Sequence, residues 1–199
     1  MPQRIDFYFD FGSPTAYLAW TRLPGMARDN DAELVYHPVL LGGIFQATGN
    51  ASPMTNAAKA AYMTRDLERF AHRYRVPLAF NPHFPINTLT LMRMATGVQH
   101  QQRERFPELM AALFSGMWVE SRDLGDGSVL RQTLERHRFD PDALLAIAAD
   151  ETVKTRLKEA TAAAVERGLF GLPAIFVNDE MFWGQDRLDF VQEALEAGR

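Results

Sequence analysis

The chain has 199 residues, of which 47% are hydrophobic, and it carries a formal net charge of −4 and no cysteine. This size and composition predict one globular unit, or one unit with a sizeable insertion, and no run is apolar enough to span a bilayer. The acidic balance argues against a nucleic-acid partner, and the lack of cysteine excludes disulfides, thiolate metal sites and cysteine nucleophiles.

The first element in chain order is a predicted strand at residues 4–11, which is rich in aromatic residues and alternates in polarity. A helix opens at Ser13 and Pro14, because serine is a strong N-cap and proline suits the first helical turn. Pro24 is expected to end or kink this helix. A serine hydroxyl at the positive end of a helix dipole is placed to hold an anion or a thiolate, although most such serines are only caps.

A second strand is predicted at residues 33–41, parallel to the first because a helix separates the two. Residues 42–56 are rich in glycine, alanine and polar residues and predict a loop with one short turn. A block of helices follows, interrupted by an irregular, proline-containing segment at residues 80–87. The predicted helices of this block start at Asn56 (ending before Val76), Asn87 (ending at Thr96, before Gly97), Phe106 (ending at Trp118), Val129 (ending at His137), Asp140, and Asp150 (ending at Gly168).

Strand character returns after residue 168. Residues 173–178 and 181–184 predict an antiparallel pair joined by a tight turn, and an amphipathic helix at residues 186–197 closes the chain. The five histidines show no metal-ligand spacing, so no metal site is expected. The N-terminus lacks a long uncharged apolar stretch, which argues against a signal peptide.

Four stretches carry a resemblance to a known family: residues 7–14 (FYFDFGSP), 49–50 (GN), 170–173 (FGLP) and 182–187 (FWGQDR). Together they resemble kappa-class glutathione transferases and the related 2-hydroxychromene-2-carboxylate isomerases. The resemblance covers essentially the whole chain, with the stretches in the right order.

This resemblance implies an α/β, thioredoxin-like fold of the DsbA-related type with an inserted all-helical domain. The implied domains are a discontinuous thioredoxin-like unit at residues 1–42 and 165–199 and a helical insertion at residues 43–164. Disulfide-exchanging relatives carry a Cys-x-x-Cys motif where this chain has residues 13–16 (SPTA). Dithiol exchange is therefore unavailable, and any reactive thiol must arrive as a ligand.

The cofactor implied by the resemblance is glutathione. Its thiolate would be held by the Ser13 hydroxyl and the helix N-terminus, which both lower the pKa of a thiol. The Leu172–Pro173 bond is implied to be cis, with the Leu172 backbone binding the peptide portion of glutathione; without the family, Pro173 is only a rigid turn. Asn50 is implied as a further glutathione contact, against the alternative of a turn residue.

The γ-glutamyl end of glutathione is implied to bind at Trp183, Gly184, Gln185 and Asp186, with Asp186 accepting from the ammonium group. From composition alone, these residues are merely a helix start with an acidic first turn. The helical insertion is expected to form the pocket for the second substrate, although each candidate also has a plain role as a solvated, connecting or core residue. The candidates are Lys59, Tyr62, Phe84, Pro85, Asn87 and Trp118.

The activity implied by the resemblance is a glutathione-dependent isomerisation between 2-hydroxychromene-2-carboxylate and trans-o-hydroxybenzylidenepyruvate, or a close aromatic analogue. Two alternatives remain: a kappa-class-like transferase that consumes glutathione, and a non-catalytic thioredoxin-like binding protein. Residues 41–45 lack the basic residues that several isomerases carry there, so the natural second substrate stays open. We expect a cytoplasmic homodimer that acts on a small aromatic carboxylate in aromatic catabolism, without membrane or nucleic-acid partners.

Overall fold

A four-stranded mixed sheet lies at the centre of the computed structural model, which describes residues 3–198. Its strands are β1 (Arg4–Phe9), β2 (Glu33–Pro38), β3 (Ala174–Val177) and β4 (Glu180–Trp183), in the order β2-β1-β3-β4. β2 is parallel to β1, whereas β3 is antiparallel to β1 and β4 to β3. The predicted parallel pair and the predicted C-terminal hairpin are both confirmed.

The helical block lies between β2 and β3, which confirms the predicted α/β fold class and the position of the helices in the chain. Within residues 3–198 no helix is long and apolar enough to cross a membrane. The α-helices are α1 (Pro14–Asp29), α2 (Leu41–Thr48), α3 (Ala57–Tyr74), α4 (Leu89–Gln101), α5 (Phe106–Trp118), α6 (Gly127–Arg136), α7 (Pro141–Ala149), α8 (Glu151–Glu166) and α9 (Leu188–Ala197).

The two faces of β1 pack into separate cores, because successive side chains of a strand point to opposite sides. Phe7 and Phe9 belong to the larger core, which also includes side chains of α1, α4, α5 and α9. Tyr8 belongs to a smaller core together with Ile44 of α2 and Ala164 of α8. The predicted domain boundaries, with a thioredoxin-like unit at residues 1–42 and 165–199 and an insertion at residues 43–164, stay a prediction. Helix α8, most of which falls in the predicted insertion, packs on the sheet.

Pro24 was predicted to end or kink helix α1 near Leu23. The helix continues past Pro24, so the predicted end is wrong. Leu23 and Ala27, which lie on either side of the proline in the helix, are both buried in the larger core. Burial of apolar side chains on this face outweighs the backbone hydrogen bond that a proline removes.

Most of α2 lies in the segment predicted as a loop at residues 42–56, and its first residue, Leu41, lies at the end of the predicted second strand. Its first N–H, that of Leu41, donates to the Asp10 carboxylate at 2.9 Å, and Ile44 is fully buried. Gly49 ends the helix in the left-handed region with a φ of 69°. Tertiary partners, which local composition does not reveal, therefore stabilise this short helix.

Gly97 lies inside α4, although the sequence predicted that it would stop the helix. A Cβ atom at this position would overlap Cγ2 of Ile147, which belongs to α7. The glycine is therefore needed for close packing of α4 against α7, and not for a helix end.

Two Gly-to-Ala substitutions test this packing. Gly97→Ala should lower the free energy of unfolding, because an overpacking cost of about 1–3 kcal/mol exceeds the gain in helix propensity of about 0.8 kcal/mol. The control is Gly42→Ala in α2, where an added Cβ meets no atom within 4 Å, so only the propensity gain remains. Urea unfolding of both variants measures the difference, and equal stabilities would contradict the packing role of Gly97.

Candidate active site

Asp10, which directly follows β1, holds the turn that leads into α1. Its buried Oδ1 accepts from the Gly12 N–H at 2.9 Å and from the Thr88 hydroxyl at 2.7 Å. Its Oδ2 accepts from the Leu41 N–H at 2.9 Å. Because Leu41 begins α2 and Thr88 immediately precedes α4, one carboxylate joins the end of β1 to the first turns of two helices.

The same carboxylate is costly to ionise. Burial raises the pKa of Asp10 above its ordinary value, and the hydrogen bonds from Gly12, Leu41 and Thr88 offset only part of this effect. The three donors therefore fix the geometry of the turn at an electrostatic cost to the folded state.

Trp118 supports the same turn through a further hydrogen bond. Its Nε1–H donates to the carbonyl oxygen of Phe11 at 2.7 Å, and the side chain is 0% exposed. The Phe11 N–H in turn contacts Sδ of Met92 at 3.4 Å. Trp118 therefore does not line the cavity, unlike the prediction that it contacts the second substrate: its indole donates to a backbone acceptor and packs in the core.

Ser13 is the N-cap of α1, as predicted. Its Oγ accepts from the Ala16 N–H at 3.1 Å, which satisfies one of the unpaired donors at the helix start. The same hydroxyl lies 3.3 Å from the carbonyl oxygen of Leu172, to which it can donate, and 2.8 Å from Oγ1 of Thr15. Ser13 is only 3% exposed, yet it lines a cavity with polar and aromatic walls.

Leu172 and Pro173 approach the helix start from the loop before β3. The bond between them is cis, which confirms the expectation drawn from the resemblance. The Leu172 carbonyl faces the two hydroxyls of α1, whereas the Pro173 carbonyl accepts from the Gly184 N–H at 3.0 Å. Leu172 lines the cavity, and Pro173 lies behind it as part of the sheet pairing.

Arg167 anchors the beginning of this loop. Its guanidinium donates to Oδ2 of Asp6 at 3.1 Å and to the Tyr8 hydroxyl at 2.9 Å, both on β1. It also lies 3.7 Å from the ring centroid of Phe176, a cation–π distance. The loop at residues 168–173 is therefore fixed to the sheet before it reaches Ser13.

Asn50 joins the loop after α2 to the loop before β3. Its Nδ2 donates to the Phe170 carbonyl at 2.8 Å, and its Oδ1 accepts from the Ala51 N–H at 2.8 Å. The residue is exposed at the cavity wall. Both ends of the Asn50 amide thus form hydrogen bonds within the protein. Asn50 therefore stabilises the turn and also lies at the predicted ligand site.

The turn after β4 carries the remaining polar residues of the predicted site. The Gln185 side chain is buried, and the backbone carbonyl of Gln185 accepts from the Tyr74 hydroxyl of α3 at 2.7 Å. The Asp186 carboxylate pairs with Arg187 at 2.6 Å. Gly184 has a φ of 100°, and a Cβ there would overlap Asp186 Oδ1, so only glycine lets this carboxylate fold back toward the cavity.

These elements surround a cavity of about 660 Å³. Its polar lining includes Ser13, Asn50, Gln185 and Asp186, together with the predicted residues Leu172, Trp183 and Gly184. Lys59 and Asp186 are the charged residues of this lining, and they lie on different walls: Lys59 on α3, and Asp186 after β4. Among residues 3–198, no group of three or more His, Asp or Glu side chains has a metal-binding arrangement.

The cavity includes only two of the six residues predicted for the second substrate, Lys59 and Phe84. Tyr62 is 62% exposed and lies outside the lining, near the guanidinium of Arg69. Pro85 and Asn87 are exposed and also lie outside it; Asn87 uses its Oδ1 to accept from the Leu89 N–H at 3.0 Å. For Tyr62, Pro85 and Asn87 the structure thus differs from the prediction, because each side chain faces solvent instead of the cavity.

Several residues that line the cavity were not predicted from the sequence. The Thr15 hydroxyl belongs to the same SPTA stretch as Ser13 and was visible as a polar residue in the first turn. The apolar part of the wall has no comparable local signal, because its residues come from α2, α3 and irregular segments. Its missed members are Leu41, Phe45, Met54, Met63 and Phe80.

Comparisons with known proteins identify the family and the fold of the chain. Residues 4–196 match the DSBA-like thioredoxin domain. The chain is 36% identical to the 2-hydroxychromene-2-carboxylate isomerase of Sphingobium xenophagum, covering 98% of this chain and 99% of the relative. It is 26% identical to glutathione S-transferase kappa 1 of Homo sapiens, covering 98% and 92%. A solved 2-hydroxychromene-2-carboxylate isomerase structure is 31% identical with a TM-score of 0.84, covering 98% of this chain and 95% of that one.

The Asp10 site predicts an unusual pH dependence of stability. The pKa of Asp10 is higher in the folded chain than its ordinary value of 3.8. Its titration therefore contributes to the free energy of unfolding at acid pH, and this contribution is lost as pH rises above 3.8. The stability difference between the wild-type chain and Asp10→Asn should therefore shift in favour of the variant between about pH 4 and pH 7 in urea unfolding.

The matched control is Asp126→Asn. Asp126 is exposed, and hydrogen bonds from the Ser128 hydroxyl, the Val129 N–H and the Ser128 N–H lower its pKa. Its contribution is lost only as pH falls below the ordinary value, so this difference should stay constant over the same range. A constant difference for Asp10→Asn as well would show that burial of its charge does not affect stability.

Proposed function

We propose a glutathione-dependent isomerase, since the chain belongs to the DSBA-like thioredoxin domain family and, within it, to the group of 2-hydroxychromene-2-carboxylate isomerases and kappa-class glutathione transferases. The proposed reaction interconverts 2-hydroxychromene-2-carboxylate and trans-o-hydroxybenzylidenepyruvate, or a close aromatic analogue. The observation that carries the proposal is the position of the Ser13 hydroxyl. It lies at the N-terminus of α1 and lines a cavity beside Leu172, in a chain without cysteine.

The residues of the cavity fit glutathione. A hydroxyl at the positive end of a helix suits a thiolate. The Leu172 carbonyl suits the N–H of a peptide, and the Asp186 carboxylate suits the ammonium of a γ-glutamyl group. Asn50, Trp183, Gly184 and Gln185 complete this polar wall.

When bound, glutathione would supply a thiolate that adds to a conjugated carbon of the substrate while the π electrons move to the conjugated carbonyl oxygen, and that leaves again after rotation about the bond that has become single. Ser13 would stabilise the negative sulfur by donating its hydroxyl hydrogen, and the dipole of α1 would add to this effect. Phe84 and the other apolar lining residues would hold the aromatic ring and exclude water. Lys59, the cation of the lining, would pair with the substrate carboxylate.

A kappa-class-like transferase is the second candidate, favoured by the similarity to glutathione S-transferase kappa 1. It would use the same Ser13 but consume glutathione in a conjugate. Incubation with glutathione and 2-hydroxychromene-2-carboxylate separates the two activities: product formation at constant glutathione concentration supports the isomerase, and net consumption supports the transferase. A non-catalytic binding protein would show no thiol-dependent turnover at all.

The family resemblance also supports a homodimer that works in the cytoplasm on a small aromatic carboxylate in aromatic catabolism. The mass of the purified protein in solution tests the dimer directly. A monomer would remove this part of the proposal and leave the reaction unaffected.

Ser13→Ala tests the proposed role of the hydroxyl. We expect kcat to fall about 10- to 100-fold, because one hydrogen bond to a charged sulfur contributes about 1.5–3 kcal/mol. Isomerisation is followed by the absorbance of the aryl pyruvate. Ser128→Ala, which changes a serine on α6 outside the cavity, is the control and should keep wild-type kcat. An unchanged kcat for Ser13→Ala would contradict the mechanism.

The two charged lining residues give a crossed prediction. Lys59→Gln should raise KM for the aromatic carboxylate about tenfold with little change in KM for glutathione, and Asp186→Asn should do the reverse. Initial rates at varied concentrations of each substrate measure both constants. Asp189→Asn, which changes an aspartate of α9 outside the lining, is the control. Equal effects of both variants on both constants would contradict the assignment of one wall to each substrate.

A further inference from the structure

Three oxygen atoms form a close group at the start of α1. Oγ of Ser13 lies 2.8 Å from Oγ1 of Thr15, and these two atoms lie 3.3 and 3.2 Å from the Leu172 carbonyl oxygen. Thr15 is half-buried and lines the same cavity as Ser13. A second hydroxyl therefore lies within hydrogen-bond distance of the group that the proposed function uses to hold a thiolate.

The two hydroxyls have only two hydrogens to share among three oxygens. In one arrangement Thr15 donates to the Leu172 carbonyl and Ser13 donates to Thr15. In the second, Ser13 donates to Leu172 and Thr15 donates to Ser13. A third, in which both hydroxyls donate to Leu172, leaves no hydrogen between Oγ of Ser13 and Oγ1 of Thr15, although these atoms are 2.8 Å apart. In each arrangement Oγ of Ser13 accepts from the Ala16 N–H at 3.1 Å.

Only the second arrangement prepares Ser13 for a thiolate. There Oγ of Ser13 accepts from both the Ala16 N–H and the Thr15 hydroxyl, so its two lone pairs are used and its hydrogen is free to move to a new acceptor. When a ligand N–H takes the Leu172 carbonyl, the hydrogen of Ser13 is released from that carbonyl. A hydroxyl that accepts two hydrogen bonds is also a stronger donor, because hydrogen bonds in a chain polarise one another.

We propose that Thr15 is a positioning residue that donates to Ser13 Oγ and thereby commits the Ser13 hydrogen to the thiolate of bound glutathione. This inference rests on the proposed function and deepens it. Thr15 does not touch the reacting atoms in this role; it acts through Ser13. The plain alternative is that Thr15 is a polar residue of the helix start whose hydroxyl only contacts the Leu172 carbonyl.

Thr15→Val tests the proposal, because valine keeps the shape, the β-branch and the backbone N–H but removes the hydroxyl. The measurement is a titration of glutathione bound to saturated protein, followed by the ultraviolet absorbance of the thiolate. We expect the thiolate-to-thiol ratio at fixed pH to fall about threefold in Thr15→Val. Thr15→Ser, which keeps the hydroxyl, should retain the wild-type titration.

Calorimetry with S-methylglutathione separates positioning from damage to the site, because this probe has no thiolate. Its affinity should be the same for the wild-type chain, Thr15→Val and Thr15→Ser. A loss of S-methylglutathione binding in Thr15→Val, or a Thr15→Ser titration that matches Thr15→Val, would assign Thr15 a structural role and overturn the proposal.

Ser13→Ala in the same titration distinguishes the two levels of inference. An unchanged titration in Thr15→Val together with a lower thiolate fraction in Ser13→Ala would overturn the role of Thr15 and leave the proposed function intact. Wild-type protein whose bound glutathione is as protonated as the free tripeptide would overturn the proposed function itself. A lower thiolate fraction in both variants, larger for Ser13→Ala, is the expected result.

Discussion

The hydrogen bonds of the Asp10 carboxylate are the constraint on which the rest of the site depends. They hold the turn before Ser13 and, at the same time, the first residue of α2 and the N-cap of α4. The strand end therefore cannot move without both helices. A buried carboxyl group is retained here although burial raises its pKa, and its hydrogen bonds fix the geometry of the turn.

Local sequence signals predicted the parts of the molecule that local chemistry determines. Ser13 and Pro14 predicted the start of α1, and aromatic residues with alternating polarity predicted β1. Pro24, Gly97 and α2 were misjudged because their conformations depend on partners distant in the chain: the core around Leu23 and Ala27, the close approach of Ile147, and the carboxylate of Asp10. Composition alone does not contain these contacts.

The candidate site shows the same division. The polar wall was predicted from short motifs, since Asn50, Leu172 and Asp186 belong to stretches that resemble the family. The apolar wall comes from α2, α3 and irregular segments, so its members have no common motif. Trp118 was predicted to belong to the apolar wall but is buried in the core, because an aromatic residue on an amphipathic helix has the same pattern whether it lines a cavity or supports a buried turn.

The tryptophans lie at different depths, and this has an optical consequence. Trp118 is fully buried, Trp20 is partly buried, and Trp183 is 47% exposed at the cavity wall. A molecule that enters the cavity shields the indole of Trp183 and changes its fluorescence without disturbing Trp118. The emission of Trp118 moves to the red only when the core opens. The chain thus carries separate intrinsic reporters of occupancy and of unfolding, with no added dye.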